Sequence, residues 1–138
     1  MTVTPYLFFN GDCAEAIAFY QAAAGAVLEY AMHYGETPEA TNVPAALKDK
    51  IINASFRIGE TVVMASDCPP GKWGGAPTGF SLCIGAASGA EAEQLYGALS
   101  DGGTIVMAMG ETFFAHRFGQ FVDKFGIPWM IICEKKPD

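Results

Sequence analysis

The feature that most limits how this chain can fold is an internal duplication. In the first half, Asp12 precedes an apolar pattern with helical spacing, Glu15 follows as the partner of a capping box, and Gly25 ends the pattern. The second half repeats this plan with Ser88 and Glu91, and a pair of glycines ends its helix. Matching capping boxes and glycine stops rarely arise together by chance, so the sequence predicts two degenerate copies of one unit.

Strand-like segments surround both predicted helices. One apolar segment precedes each helix and three follow it: residues 4–9, 26–33, 50–58 and 61–66 in the first half, and 79–84, 104–109, 113–122 and 128–134 in the second. The sequence therefore predicts an α+β fold of two tandem βαβββ modules, at about residues 3–67 and 78–135. A linker rich in proline and glycine, residues 68–77, joins them, and the whole chain is expected to form a single domain. Residues 34–49 form a long loop of the kind that is either mobile or a lid.

The composition restricts the class of protein and its partners. Of the 138 residues, 51% are apolar, which is enough for a core without disulfides or a metal. The formal net charge of −7 disfavours nucleic acid and anionic membrane surfaces. No signal peptide and no uninterrupted apolar segment of about 18 residues is visible, and the four cysteines form no C-x-x-C pair. A cytoplasmic protein with reduced thiols is therefore expected, without nucleic-acid or membrane partners.

Two blocks of sequence carry a family resemblance. The segment PYLFF at residues 5–9 is followed by EAIAFY at 15–20, and GETFFAHRFG at 110–119 runs into DKFGIPWMI at 123–131. With these motifs the chain resembles, over nearly its whole length, the PhnB-like branch of the vicinal oxygen chelate superfamily. That superfamily includes glyoxalase I, bleomycin-resistance proteins and extradiol dioxygenases. The resemblance implies paired βαβββ modules that form a cupped mixed sheet, a homodimer, and a small-molecule cavity in each cup.

The resemblance also bears on metal chemistry. In metal-using members, two strands of each half supply four ligands, as His, Glu or Gln. The corresponding positions here are Pro5, Phe80, Met130, and Val63 or, with the register shifted by one, Met64. None of these side chains can ligate a hard divalent cation, so no metal is expected. Glyoxalase-type isomerase chemistry and dioxygenase chemistry, which depend on the ion, are disfavoured for the same reason.

Some relatives in this branch bear the name of a ubiquinone-pathway methyltransferase. Such an enzyme needs a site for a sulfonium cofactor. The sequence has no glycine-rich nucleotide fingerprint after a strand, and it is too short for a doubly wound domain. No cofactor is therefore expected.

Three polar residues are candidates for chemistry or ligand binding. His116 or Glu111 would serve as a general acid or base, although regular alternation places them on opposite faces unless the strand contains a bulge. The alternative for His116 is a structural histidine at the rim of the cavity. Asn53 stands where relatives carry a histidine, and its amide binds either a ligand or the backbone.

An apolar lining is also predicted for the cup. The predicted pocket residues are Leu7, Phe9, Asn53, Trp73, Phe80, Phe113 and Met130. Such a lining suits an apolar or planar small molecule, and the alternative is that these side chains fill the core or a dimer interface. The leading hypothesis is a small-molecule-binding protein that acts without metal. The second is a metal-independent lyase, isomerase or transferase-like enzyme that uses His116 or Glu111, and a divalent-metal lyase or dioxygenase comes third.

Overall fold

The computed structural model describes residues 1–135, and the chain divides into two compact units, Met1–Gly74 and Gly75–Asp138. The first unit contains β1 (Tyr6–Phe9), α1 (Cys13–Ala24), β2 (Val27–His33), β3 (Ile51–Ile58) and β4 (Thr61–Asp67). The second contains β5 (Leu82–Gly85), α2 (Gly89–Ser100), β6 (Thr104–Gly110), β7 (Ala115–Val122) and β8 (Pro128–Glu134). Each unit is therefore βαβββ, and the predicted α+β class is confirmed. That the two modules form a single domain stays a prediction.

Each unit has its own four-stranded mixed sheet with the same topology. The strand orders are β1-β4-β3-β2 and β5-β8-β7-β6. The first strand of each unit pairs in parallel with the last strand, and the remaining neighbours are antiparallel. In both sheets the first strand is one edge, and the strand that follows the helix is the other.

The ends of the helices follow the predicted signals in all but one place. The Ser88 hydroxyl accepts a hydrogen bond from the Glu91 backbone N–H at 3.1 Å, as the capping box predicts. Gly25 ends α1 with φ +66°, a left-handed conformation that glycine adopts without strain. Asp12 is the N-cap residue of α1, as predicted, but its side chain makes no capping hydrogen bond. A carboxylate from β4 takes the role instead: Asp67 accepts from the Cys13 N–H at 2.9 Å.

The core of the first unit lies between α1 and one face of its sheet. Leu7, Ala65 and Ala54 pair with one another across three strands and are 3%, 0% and 0% exposed. The Tyr20 ring of α1 stacks on Phe56, with 6.0 Å between the ring centroids. The residues that share this side of each strand are therefore covered by the helix.

The core of the second unit is built around a glycine beneath α2. Phe121 lies opposite Trp129, and Gly119 lies opposite Ile131. The Tyr96 ring of α2 meets the Phe121 ring edge-on at 5.4 Å, and a Cβ atom on Gly119 would stand only 2.6 Å from Tyr96 Cε2. The missing side chain lets the tyrosine ring lie directly on β7.

The long loop predicted over residues 34–49 is held against the first sheet. It contains three short 3₁₀ turns, Tyr34–Glu36, Ala40–Asn42 and Ala45–Leu47. The Tyr34 hydroxyl donates to the Asp67 carbonyl at 2.8 Å, and the Tyr34 N–H donates to the Lys50 carbonyl at 2.9 Å. Leu47 is 6% exposed and anchors the last turn in the core.

In the second unit, two strands begin later than the sequence pattern indicates, and each delay has a local cause. β5 begins at Leu82 rather than residue 79, because Gly79 adopts φ +85° and interrupts the extended backbone. β7 begins at Ala115 rather than residue 113, because the Thr112 hydroxyl accepts from the N–H groups of Phe114 and Ala115 and forms a tight turn. No helix within residues 1–135 has the length and apolar character needed to cross a membrane.

Candidate functional site

One side of the first sheet carries exposed aromatic side chains. In β1, Tyr6 and Phe8 are 38% and 56% exposed, whereas Leu7 and Phe9 are 3% and 1% exposed. Because side chains alternate along a strand, Tyr6 and Phe8 lie on the side opposite α1. We call this side the open face of the first sheet. Leu7 and Phe9 had been predicted as pocket residues, and the structure places them in the core, under the helix.

A tyrosine and an amide form a hydrogen-bonded pair on this open face. The Tyr6 hydroxyl donates to Asn53 Oδ1 at 3.1 Å, bridging from β1 to β3 over the strand between them. Tyr6 lies opposite Met64, and Asn53 lies opposite Met32. The Tyr6 ring also tilts against Phe8, with 5.1 Å between the centroids. The polar pair is therefore set among aromatic rings and thioethers.

The linker contributes an indole next to this face. Trp73 Nε1 donates to the Phe8 carbonyl at 3.3 Å, which fixes the indole along the edge strand β1. At the other edge of the sheet, the Glu29 carboxylate on β2 makes an ion pair with the Arg57 guanidinium on β3, with 3.4 Å between Oε2 and Nη1. Of the predicted pocket residues, the structure thus brings Asn53 and Trp73 to the first sheet together with Tyr6 and Phe8, which the sequence reasoning missed.

The open face of the second sheet is the side that α2 does not cover. Across its four strands, Cys83 lies opposite Met130, Met130 opposite Gln120, and Gln120 opposite Met107. Met130, which is predicted to line the pocket, is half-buried on this face. Phe80 is 47% exposed but precedes β5 rather than lying on it.

The turn before β7 folds an aromatic pair over this second face. The Phe114 ring meets Phe118 edge-on at 5.1 Å, and Phe118 is only 6% exposed. Phe113 stacks against Phe114 in the same edge-on manner at 5.2 Å and remains 93% exposed. The predicted pocket residue Phe113 therefore projects from the tip of a hydrogen-bonded turn.

The two predicted acid/base candidates lie in different settings. The register between β7 and β8 shifts between Ala115 and Arg117, so His116 occupies a β-bulge. Its side chain is exposed at a groove of about 1070 Å³ near the start of α2. Glu111 lies in the turn between β6 and β7 and is also exposed. Within residues 1–135 no hydrogen bond joins the two side chains, so the structure does not bring them together as a catalytic pair.

Two of the positions inferred for metal ligands, Pro5 and Val63, lie one residue before the open-face side chains, and Phe80 lies three residues before Cys83. The inferred position Met130 and the alternative Met64 lie on the open faces. Pro5 lies just before β1, and Val63 is 3% exposed on the helix side of the sheet. The first-strand and last-strand side chains that lie opposite each other on the open faces are Tyr6 with Met64, and Cys83 with Met130. Among residues 1–135, no three side chains of His, Cys, Asp or Glu gather where they could hold a metal ion.

Two of the four thiols, Cys13 and Cys83, are poor nucleophiles. Burial and, after it, the neighbouring carboxylates of Asp67 and Asp12 together raise the pKa of Cys13 to about 12. On the second open face, the pKa of the Cys83 thiol is raised mainly by partial burial and, to a smaller extent, by the Glu134 carboxylate. Both thiols therefore stay protonated at neutral pH and contribute to packing rather than to nucleophilic chemistry.

The chain is similar to known proteins along its whole length. The family model described as 3-demethylubiquinone-9 3-methyltransferase matches residues 1–132. Protein YjdN of Escherichia coli (strain K12) is 40% identical, covering 99% of this chain and 97% of that protein. The crystal structure of protein PA1353 from Pseudomonas aeruginosa is also 40% identical, covers 99% of both chains and superimposes with a TM-score of 0.87.

A more distant structure shows the same fold. A PhnB protein from Bacillus cereus is 24% identical, covers 96% of this chain and 99% of its own, and has a TM-score of 0.81. The match to the family model and the 40% identity to YjdN extend over almost every residue. The chain therefore belongs to the family described as 3-demethylubiquinone-9 3-methyltransferase, and it has the glyoxalase/bleomycin-resistance fold.

Proposed function

We propose that this PhnB-like protein binds a small organic molecule, without a chelated metal, on the open face of the first sheet. The observation that supports this most directly is the pair of exposed rings, Tyr6 and Phe8, beside the hydrogen-bonded amide of Asn53. Ligand sites are mostly apolar surfaces with a few polar groups that fix orientation. The open face has this composition, and Trp73 extends it along the edge of β1.

The donor set supports a site without a metal. On the open faces, the side chains that lie opposite each other on the first and last strands are a phenol, two thioethers and a thiol: Tyr6, Met64, Met130 and Cys83. Hard divalent cations prefer carboxylate, carbonyl and water oxygens, and catalytic zinc sites combine three histidine, carboxylate or cysteine ligands, of which this set contains one cysteine. The proposed ligand is therefore held by apolar contacts and hydrogen bonds.

Binding of Nile red, a neutral planar dye, tests the proposal. We expect its fluorescence to rise and shift to the blue with the wild-type chain, and Phe8→Ala to weaken binding about 10-fold because a large aromatic contact is lost. Phe8 is 56% exposed, so this change should leave the fold intact.

A control variant distinguishes dye binding at this face from non-specific binding of the dye to exposed apolar side chains. Leu28 is 43% exposed and lies opposite Phe56, on the helix side of the same sheet. Leu28→Ala should leave the affinity for Nile red unchanged. Equal weakening by Phe8→Ala and Leu28→Ala, or no response of the dye to the wild-type chain, would contradict the proposal.

A homodimer is part of the proposal, as the resemblance implies. The edge strand β6 supports it, because Ile105, Val106 and Met107 are 49%, 63% and 45% exposed along one segment. An edge strand with this apolar character tends to pair with another chain. Light scattering should give twice the chain mass of 14.6 kDa, and Val106→Lys should shift the population towards the monomer.

Thr41→Lys, in the loop after β2, is the matched control for the dimer and should have no effect on the mass. A wild-type mass of 14.6 kDa would refute the dimer. The cytoplasmic location stays a prediction.

The second candidate is a metal-independent enzyme, and one observation favours it. A β-bulge often re-aims a side chain next to an active site, and the bulge at His116 exposes the imidazole at the groove near α2. In this alternative His116 acts as the general acid or base without Glu111 as its partner. The exposed position and the missing carboxylate partner make this the weaker of the two candidates.

A further inference from the structure

We infer that the open face of the first sheet selects neutral molecules that carry a hydrogen-bond acceptor such as a carbonyl oxygen. Asn53 Nδ2 is the donor, and Tyr6 is a positioning residue that fixes the orientation of the amide. This inference rests on the proposed function and adds the chemical class of the ligand to it.

The first step is the orientation of the amide. Because the Tyr6 hydroxyl donates to Asn53 Oδ1, the amide oxygen is engaged and the two N–H bonds of Nδ2 are left to donate elsewhere. No other residue within 1–135 makes a side-chain hydrogen bond to this amide. The described residues contain no buried side-chain nitrogen or oxygen without a partner, so Nδ2 is accessible from the open side of the sheet.

The second step is the apolar setting of this donor. Asn53 lies opposite Met32, and on the same sheet the aromatic rings of Phe8 on β1 and Tyr30 on β2 are 56% and 45% exposed. A ligand that covers these rings also removes water from Nδ2. The donor then loses its hydration, and only a ligand with an acceptor at that point restores the hydrogen bond.

The third step is the charge of the acceptor. The Arg57 guanidinium, on the same strand as Asn53, makes an ion pair with Glu29 at 3.4 Å. The Lys50 ammonium, just before that strand, donates to the Gly11 carbonyl at 2.8 Å. Both nearby cations are therefore engaged, and the chain carries a net charge of −7. A carboxylate would be desolvated without a cationic partner, so the acceptor that fits is neutral.

Two probes of the same shape isolate the acceptor. They are 2-acetylnaphthalene, which has a carbonyl oxygen, and 2-isopropenylnaphthalene, which has a methylene group in place of that oxygen. We expect the wild-type chain to bind 2-acetylnaphthalene about 5- to 10-fold more tightly, the increment of one hydrogen bond in a half-exposed site. Titration of ¹⁵N-labelled protein, read from the backbone amides of β3, measures both affinities.

Three variants locate the preference. Asn53→Leu should abolish it by weakening only the acetyl probe. Tyr6→Phe keeps the ring but frees the amide to rotate, so it should reduce the preference while the affinity for 2-isopropenylnaphthalene stays constant. A merely structural role of Tyr6 would weaken both probes equally. Asn42→Leu, at an exposed amide in the loop before β3, is the control and should keep the preference intact.

The outcomes separate this inference from the proposal beneath it. If both probes bind the wild-type chain with equal affinity, the acceptor selectivity is wrong while small-molecule binding stands. If neither probe perturbs the amides of β3 and Nile red does not bind, the proposed function itself fails. If Tyr6→Phe leaves the preference unchanged, Tyr6 is not the positioning residue.

Discussion

Replacing Asp123 by leucine is expected to lower the free energy of unfolding by about 4 kcal/mol, because three hydrogen bonds, two buried and one partly buried, are lost at once. Asp123 is 3% exposed, in the turn between β7 and β8. One carboxylate oxygen accepts from the N–H groups of Phe125 and Ile127 at 2.9 and 3.0 Å, and the other accepts from Trp129 Nε1 at 2.9 Å. Leucine fills the space but leaves these donors without an acceptor.

Urea denaturation measures this effect, and a graded series sharpens it. Asp123→Asn keeps one acceptor oxygen for the two backbone donors but turns an amide NH₂ towards the indole, so it should cost about half as much. Asp49→Leu changes an exposed carboxylate in a loop and should alter stability by less than about 0.5 kcal/mol. A loss below about 1 kcal/mol for Asp123→Leu would show that water replaces the carboxylate.

The substitution Gly103→Ala is expected to cost about 3 kcal/mol, at the upper end of the usual range for overpacking. A Cβ atom there would overlap the Val122 carbonyl oxygen and would stand 2.9 Å from Asp123 Cα. Both obstacles are backbone atoms, which cannot rotate aside as a side chain does. The start of β6 would have to separate from the end of β7, and the melting temperature should fall by about 10 °C.

A second glycine provides the matched control. Gly97 lies within α2, and a Cβ atom there would meet nothing within 4 Å. Gly97→Ala should therefore raise stability by about 0.4–1 kcal/mol, because alanine restricts the unfolded chain and favours helix. Calorimetry on the two variants should give shifts of opposite sign, and a neutral Gly103→Ala would show that β6 and β7 separate there without cost.

The parts of the fold that could be predicted are those encoded locally. The βαβββ plan could be predicted because its signals are local. Each of them spans only a few residues: the helical spacing, the Ser88 capping box and the glycine at the end of α1. The hydrogen bond that caps α1 could not be predicted, because Asp67 is 54 residues from Cys13 along the chain and replaces the local candidate Asp12. A long-range carboxylate of this kind leaves no local pattern.

The candidate site was only partly predictable, because both sides of β1 are apolar. Alternation shows that Leu7 shares a face with Phe9 and that Tyr6 shares the other with Phe8, but not which face α1 covers. The small residues Ala54 and Ala65, which pair in line with Leu7, were the available signal for the covered side. Asn53 was identified, but its partner Tyr6 depends on the strand order, which the sequence pattern does not specify.

The parallel pairing of β1 with β4 also governs the order in which this protein can assemble during synthesis. β1 emerges from the ribosome before the other strands of its module, yet within residues 1–135 its hydrogen-bonded neighbour in the sheet is the last of those strands. Contacts between residues so far apart in sequence form slowly, since the intervening chain must be closed into a loop. Until β4, which ends at Asp67, has emerged from the ribosome, Tyr6 and Phe8 belong to an unpaired apolar strand. During that period the nascent chain depends most on chaperones.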